Sequence, residues 1–258
     1  VRINQHLVDP QEFKKELSSQ GIRWLPGGFL EEAIILTDLP CALVELSQFQ
    51  DGKIFVQDES SMLVAHLLAP RSGETIIDLC AAPGGKSTHL AELTDDQSHI
   101  ISVDDHPHKI DLIRENASRL KLKSIEPVLG DARQVFVAED LQVDAVLVDA
   151  PCSGTGVLRR RVDARYRRKP EDLKALVILQ REILERAARL VRPGGRLVYS
   201  TCTLEPEENQ EQISYFLENH SQFRIEPYSE FLPRGVENCW AEPGSQWATL
   251  LPSSNGGD

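Results

Sequence analysis

Hydrophobic and polar positions follow two different periods along the chain. From Gly73 onward, short β-branched runs at 75–79, 99–103, 125–129, 144–148 and 196–200 read as strands. Between them, apolar residues recur every three or four positions over 86–93, 108–120 and 171–191, which reads as helix. The last of these carries Leu173, Leu176, Val177, Leu184, Ala187, Ala188 and Val191 on one stripe and stops at Pro193-Gly194-Gly195. Strands alternating with helices imply right-handed crossovers and a parallel sheet covered on both faces. The expected fold class is α/β, a doubly wound, mostly parallel sheet.

The first 60 residues follow another pattern. Residues 10–19 read as a helix, and 34–39, 42–46 and 53–56 as short strands broken by Pro and Gly. They suggest a small α+β subdomain over 1–60, with a boundary near 57–61 and a helix at 61–68 opening the main domain, 61–258.

Composition adds limits. At 258 residues, 41% apolar and 26% charged, the chain is of ordinary globular type. No apolar run approaches the roughly 20 residues needed to cross a bilayer, and Val-Arg-Ile-Asn-Gln is no secretory start. Cys41, Cys80, Cys152, Cys202 and Cys239 are odd in number and lack CxxC spacing, so neither a disulfide framework nor a metal site is expected. Reduced thiols in a cytoplasmic protein are the expectation. The net charge of −12 argues against a protein that coats nucleic acid. Against that background RRRVDARYRRK is a basic island, with Arg159, Arg160, Arg161, Arg165, Arg167, Arg168 and Lys169 as candidate phosphate contacts.

The first strand runs into DLCAAPGGKST, which ends like a nucleotide triphosphate loop. A P-loop needs glycine five positions before its Gly-Lys, and Cys80 stands there. Pro83 also removes an N–H from the middle of the loop. The alternative is the glycine turn after the first strand of a doubly wound sheet, where Gly84 and Gly85 let a nucleoside approach a helix N-terminus. Three acids then fall at successive strand ends: Asp104 after the second, Asp131 after the third and Asp149 at the fourth. That acidity suits S-adenosyl-L-methionine, with its diol, amines and sulfonium, better than a polyphosphate.

DAPCSGTG places Cys152 after the fourth strand, and YSTCTLEPEEN places Cys202 after the fifth. A helix start at Glu205-Pro206 would help lower a thiol pKa nearby. Carbon 5 of a pyrimidine is too weak a nucleophile to take a methyl group unaided. A thiolate added at carbon 6 makes it one. A second thiol or a water could assist the final elimination, and the base must leave its stack, which favours remodelled RNA. The residues alone do not rank the two thiols.

DLCAAPGGK, SVD, GDAR, DAPCSGTGVLRR and STCTLEPEENQ together resemble the Sun family of RNA cytosine-5 methyltransferases. RINQ and VQDESS resemble its members that act on bacterial small-subunit ribosomal RNA. The resemblance implies that Cys80, Ala81, Ala82, Pro83, Gly84, Gly85 and Lys86 line the methionine part of the cofactor and that Asp104, with Lys109 near it, holds the ribose. It implies that Asp131 meets the adenine and that Asp149 sits between the cofactor amine and the base. Cys202 would be the nucleophile and Cys152 would assist product release. It further implies RNA contact by the 1–60 subdomain, a helical RNA-binding domain before it, and a final strand after NGGD. Ribosomal RNA is the expected partner and a monomer the expected state. Transfer RNA as substrate, a non-catalytic RNA-binding assembly factor and an ATPase are the alternatives.

Overall fold

The computed structural model describes residues 1–134, 142–158, 169–226, 231–233, 236 and 248–250. Its centre is a five-stranded parallel sheet of β5 (Thr75–Asp78), β6 (His99–Asp104), β7 (Ile125–Leu129), β8 (Val143–Asp149) and β9 (Val191–Ser200), in the order β7-β6-β5-β8-β9. The order reverses between β5 and β8, and a doubly wound sheet opens a crevice at its carboxyl edge at that point.

The period-two pattern explains how the sheet is covered. Ile77, Ile101, Val103, Val146 and Val148 face α6 (Pro170–Leu190), which contributes Ile183, Ala187 and Leu190 to that core. Their neighbours Ile76, Ile100, Ala145 and Leu147 face the other way, onto Ala65 and Leu68 of α3 (Glu59–Leu68) and Leu90 and Ala91 of α4 (Gly85–Leu93). Strands buried on both faces need continuous apolar runs, which is what these have. α5 (Pro107–Arg119) links β6 to β7, and α7 (Gln210–Asn219) follows β9.

The N-terminal segment forms two antiparallel pairs. β1 (Arg2–Ile3) pairs with β4 (Ile54–Phe55), and β2 (Arg23–Pro26) pairs with β3 (Ile34–Asp38). α1 (Pro10–Ser19) starts at Asp9, whose carboxylate accepts from the Gln11 and Glu12 amides, and it buries Phe13 and Leu17. These join Ile3, Ile22, Ile34, Leu46 and Ile54 in a separate small core, with the short α2 (Ser47–Gln50) beside it.

Arg2 anchors this segment to the main sheet. It is fully buried, and its guanidinium reaches both carboxylate oxygens of Glu92 (2.9 and 2.7 Å), Thr88 Oγ1 at 2.9 Å and the Gly85 carbonyl at 2.7 Å. Beside it Glu32 Oε1 lies 2.7 Å from His66 Nε2 and 3.4 Å from His89 Nε2.

Three local expectations change. Residues 42–46 form a 3-10 turn at Leu43–Glu45 rather than a strand, because only Leu46 has a core to reach. β2 carries no alternating signal because three of its four residues are exposed. β9 begins at Val191, well before residue 196, with a register shift opposite Val143. Gly194 takes φ +75°, and a Cβ at Gly195 would lie 2.9 Å from the Asp144 carbonyl oxygen, so this irregular stretch needs its glycines.

Candidate active site at the carboxyl ends of the strands

The turn after β5 makes its hydrogen bonds internally. The Ala81 amide donates to the Val103 carbonyl at 2.9 Å, Ala82 to Asp104 Oδ2 at 3.2 Å and Gly84 to the Ala81 carbonyl at 2.7 Å. Ala81, Ala82 and Gly84 therefore offer no free amide to a phosphate, and Pro83 has none to offer. Gly84 starts α4 at φ +96°, and a Cβ on Gly85 would meet Phe55 Cε1 at 3.1 Å.

Each strand-end acid is matched by a cation. Lys86 Nζ donates to Asp149 Oδ2 at 2.6 Å, and Ser200 Oγ donates to Asp149 Oδ1 at 2.7 Å. Asp104 is buried, with Lys109 Nζ at 3.0 Å from Oδ1. Burial works against the Lys109 charge, but the hydrogen bond and charge of Asp104 prevail and raise its pKa. Arg133 grips both oxygens of Asp131 and also reaches Glu182 at 3.1 Å. Its hydrogen bonds hold the Asp131 carboxyl below the usual range.

Below the turn, Asp78 is wholly buried. Lost hydration pushes its carboxyl up to about 7, although the Ser87 hydroxyl donates to Oδ2 at 2.7 Å. Burial, reinforced by Asp78, Asp149 and Asp104, pushes the Cys80 thiol up as well. Cys80 is therefore a neutral thiol lining the turn.

The two remaining candidate thiols meet. Cys152 Sγ and Cys202 Sγ are 3.2 Å apart, and the Cys202 amide donates to Cys152 Sγ at 3.3 Å. The hydrogen bond with Cys202 and then burial raise the Cys152 pKa, and either sulfur can be the donor in that contact. No long helix starts at Glu205-Pro206. Pro206–Glu208 is one 3-10 turn, and α7 begins only at Gln210. The expected dipole at Cys202 is reduced to that of a single turn.

Glu208, fully buried, holds the two cysteine-bearing loops together by accepting from the Ser153 amide at 2.9 Å, the Ser153 hydroxyl and Gln180 Nε2 at 2.8 Å. Glu208, Asn209, Ser153 and Gln180 were not candidates in the sequence, although the Pro-Glu-Glu-Asn run stood beside Cys202. Of the basic island, Lys169 is exposed and precedes α6. Arg159, Arg160, Arg161, Arg165, Arg167 and Arg168 lie outside the described residues.

A doubly wound sheet with an acid at successive strand ends and a glycine turn after its first strand is the architecture of nucleoside-cofactor domains. The family model for 16S rRNA methyltransferase RsmB/F matches residues 65–258, and the chain belongs to that family. It is 45% identical over 224 residues to the probable ribosomal RNA small subunit methyltransferase B of Bacillus subtilis (strain 168), covering 86% of this chain and 50% of that protein. Against ribosomal RNA small subunit methyltransferase B of Vibrio cholerae it is 38% identical over 261 residues, covering 100% and 56%. The chain thus spans about half the length of the curated relatives it matches. Among solved structures, a methyltransferase homolog protein from Pyrococcus horikoshii superposes with a TM-score of 0.75 at 32% identity, over 84% of this chain and 68% of that one. NSun6 from the same organism, solved with SFG, shares the fold at a TM-score of 0.84 and 22% identity, over 99% and 87%. Among the described residues, no helix is long and apolar enough to cross a membrane.

Proposed function

We propose that this chain carries the catalytic domain of an S-adenosylmethionine-dependent RNA cytosine-5 methyltransferase acting on small-subunit ribosomal RNA through a covalent cysteine adduct. One observation carries the reading: two sulfurs 3.2 Å apart at the ends of β8 and β9, beside a carboxylate, Asp149, bonded to Ser200. The acid-lined turn fits the cofactor's functional groups. Asp104 would hold the ribose hydroxyls, Asp131 the adenine amine, and 80–86 the methionine part. When bound, S-adenosylmethionine supplies an electrophilic methyl group.

The chain's own residues supply the rest. Asp149 accepts from the exocyclic amine of the target base, a contact that selects cytosine over uracil. Cys202 passes its proton to water, its thiolate bonds to carbon 6, and the electron pair of the 5,6 double bond becomes available at carbon 5. Carbon 5 is then the nucleophile toward the methyl group that the bound cofactor would supply. Water takes the carbon 5 proton, the Cys202–carbon 6 bond breaks and the double bond returns. Cys152, its sulfur 3.2 Å away, is placed to deliver a proton to the departing Cys202 thiolate and to recover one from water.

Cys202→Ala should reduce methyl transfer to unmodified small-subunit ribosomal RNA to background. Retained turnover would overturn the covalent reading. Cys152→Ala should accumulate a protein–RNA adduct that survives denaturation, and wild-type turnover in that variant would remove Cys152 from the release step.

A further inference from the structure

Burying a carboxylate is costly unless its acceptors are met, and Glu208 has no cation partner among the described residues. Its partners are neutral donors, and they converge on one short segment. The Ser153 amide donates to Oε1 at 2.9 Å and to Oε2 at 3.2 Å, and the Ser153 hydroxyl donates to Oε2. Gln180 Nε2 donates to Glu208 Oε1 at 2.8 Å and to the Pro151 carbonyl at 2.9 Å. Gln212 accepts no choice in this: its Nε2 donates to Gln180 Oε1 at 3.3 Å, which fixes the Gln180 amide with its nitrogen toward Glu208. Cys152 is therefore held on both sides, through Pro151 by Gln180 and through Ser153 by Glu208.

The next residue does the same for the other thiol. Thr201 Oγ1 donates to Asn209 Oδ1 at 2.6 Å, and Asn209 Nδ2 donates to the Thr203 carbonyl at 3.0 Å. Those are the two neighbours of Cys202. Ser153 Oγ and Thr203 Oγ1, 2.7 Å apart, join the two arms. A flexible surface pair of loops would not keep two thiols in contact, whereas adjacent residues on one rigid turn set both positions at once.

We infer that Glu208 and Asn209 are positioning residues that divide the two cysteine roles between them, Glu208 fixing Cys152 for release and Asn209 fixing Cys202 for attack. The inference rests on the covalent reading given above. Neither residue touches the reacting base. Each acts through the backbone and hydroxyls that flank one sulfur.

The division makes the two variants fail at different steps. With the full chain and unmodified small-subunit ribosomal RNA, Glu208→Gln places an amide nitrogen against the Ser153 and Gln180 donors. It should slow product release about 10- to 100-fold, the range a misplacement near 1 Å produces, and leave a denaturation-resistant protein–RNA adduct. Asn209→Ala should slow adduct formation by a similar factor and leave no adduct. Cofactor affinity by calorimetry should be unchanged in both. Ser153→Ala removes the hydroxyl between Glu208 and Thr203, while Thr203 Oγ1 keeps Thr155 Oγ1 at 2.9 Å, so it should show the Glu208→Gln phenotype more weakly and serves if Glu208→Gln fails to fold. Cys202→Ala and Cys152→Ala run alongside: turnover by the first marks failure of the covalent reading itself, and wild-type turnover by the second removes Cys152 from release and overturns the division of roles. If those two behave as expected, wild-type release by Glu208→Gln and Ser153→Ala, or wild-type adduct formation by Asn209→Ala, overturns the inference. Equal loss of both steps together with cofactor binding overturns it too, since that is what a purely structural role produces.

Discussion

The two halves of the sheet's carboxyl edge are built on opposite principles. On the side of β6 and β7, the strand-end carboxylates are met by cations on flexible stems: Lys109 on Asp104 and Arg133 on Asp131, with Lys86 reaching across to Asp149 on β8. On the side of β8 and β9, the thiols are fixed by neutral hydrogen bonds from buried or half-buried side chains, with a buried carboxylate at their centre. Exchangeable ion pairs suit a place where a charged ligand must enter and leave, because a ligand group can replace one partner. Fixed dipoles suit a place where two sulfurs must keep their separation, because preorganised groups need no rearrangement during reaction.

Buried carboxyls give the largest test of that contrast. Glu208 is met by donors on both oxygens, whereas Asp78 Oδ1 has no hydrogen-bond partner among the described residues. Burial raises the folded Asp78 pKa from 3.8 to about 7. The unfolded chain therefore gives up this proton from about pH 4 upward while the folded chain keeps it. The stability Asp78 contributes is full below pH 4 and is lost as the pH rises through 7. The rise from 3.8 to about 7 corresponds to roughly 4 kcal/mol. Denaturant midpoints for Asp78→Asn should lack this slope between pH 4 and 8, and parallel profiles for variant and wild type would refute the assignment.

The thiol side should be brittle to added volume. A Cβ at Gly156 would lie 2.9 Å from the Cys202 carbonyl oxygen, which also accepts from the Gly156 amide at 3.1 Å. Gly156→Ala should cost about 1–3 kcal/mol by forcing backbone apart. Methyl transfer should fall while cofactor affinity, measured by calorimetry, stays at the wild-type value. A matching loss of affinity would show that the two sides are mechanically one.

The cofactor side was legible in the sequence because each of its groups announces itself locally. A glycine turn after an apolar run, and single acids at the ends of later runs, need no partner to be noticed. Cys152 and Cys202 were legible as strand-end residues for the same reason. What holds them was not. Glu208 meets Ser153 across 55 residues and Gln180 across 28, and an interior Gln in a long amphipathic helix looks like any polar position. Arg2 escaped in the same way, since nothing near it in sequence shows that Glu92 waits 90 residues later. The N-terminal segment is hard to read where burial is one-sided or absent: the largely exposed β2 gives no strand pattern, and 42–46, expected as a strand, buries one leucine.

The cofactor side can be graded within itself, and that grading is the finest test of the exchangeable-pair idea. Asp104 is buried, and its Oδ2 also accepts from the Ala82 amide, so it helps shape the turn. Asp104→Asn keeps that acceptor but loses a charge, and should weaken cofactor binding about tenfold, or about 1.4 kcal/mol. Asp131 is partly exposed, and its contacts are with Arg133, itself shared with Glu182. Removing it leaves Arg133 a second carboxylate and leaves the turn untouched. Asp131→Ala should therefore weaken binding less than Asp104→Asn and leave the melting temperature where it was. If the order is reversed, the adenine end rather than the ribose end holds the cofactor, and the acid at β7 is the stronger recognition element despite its exposure.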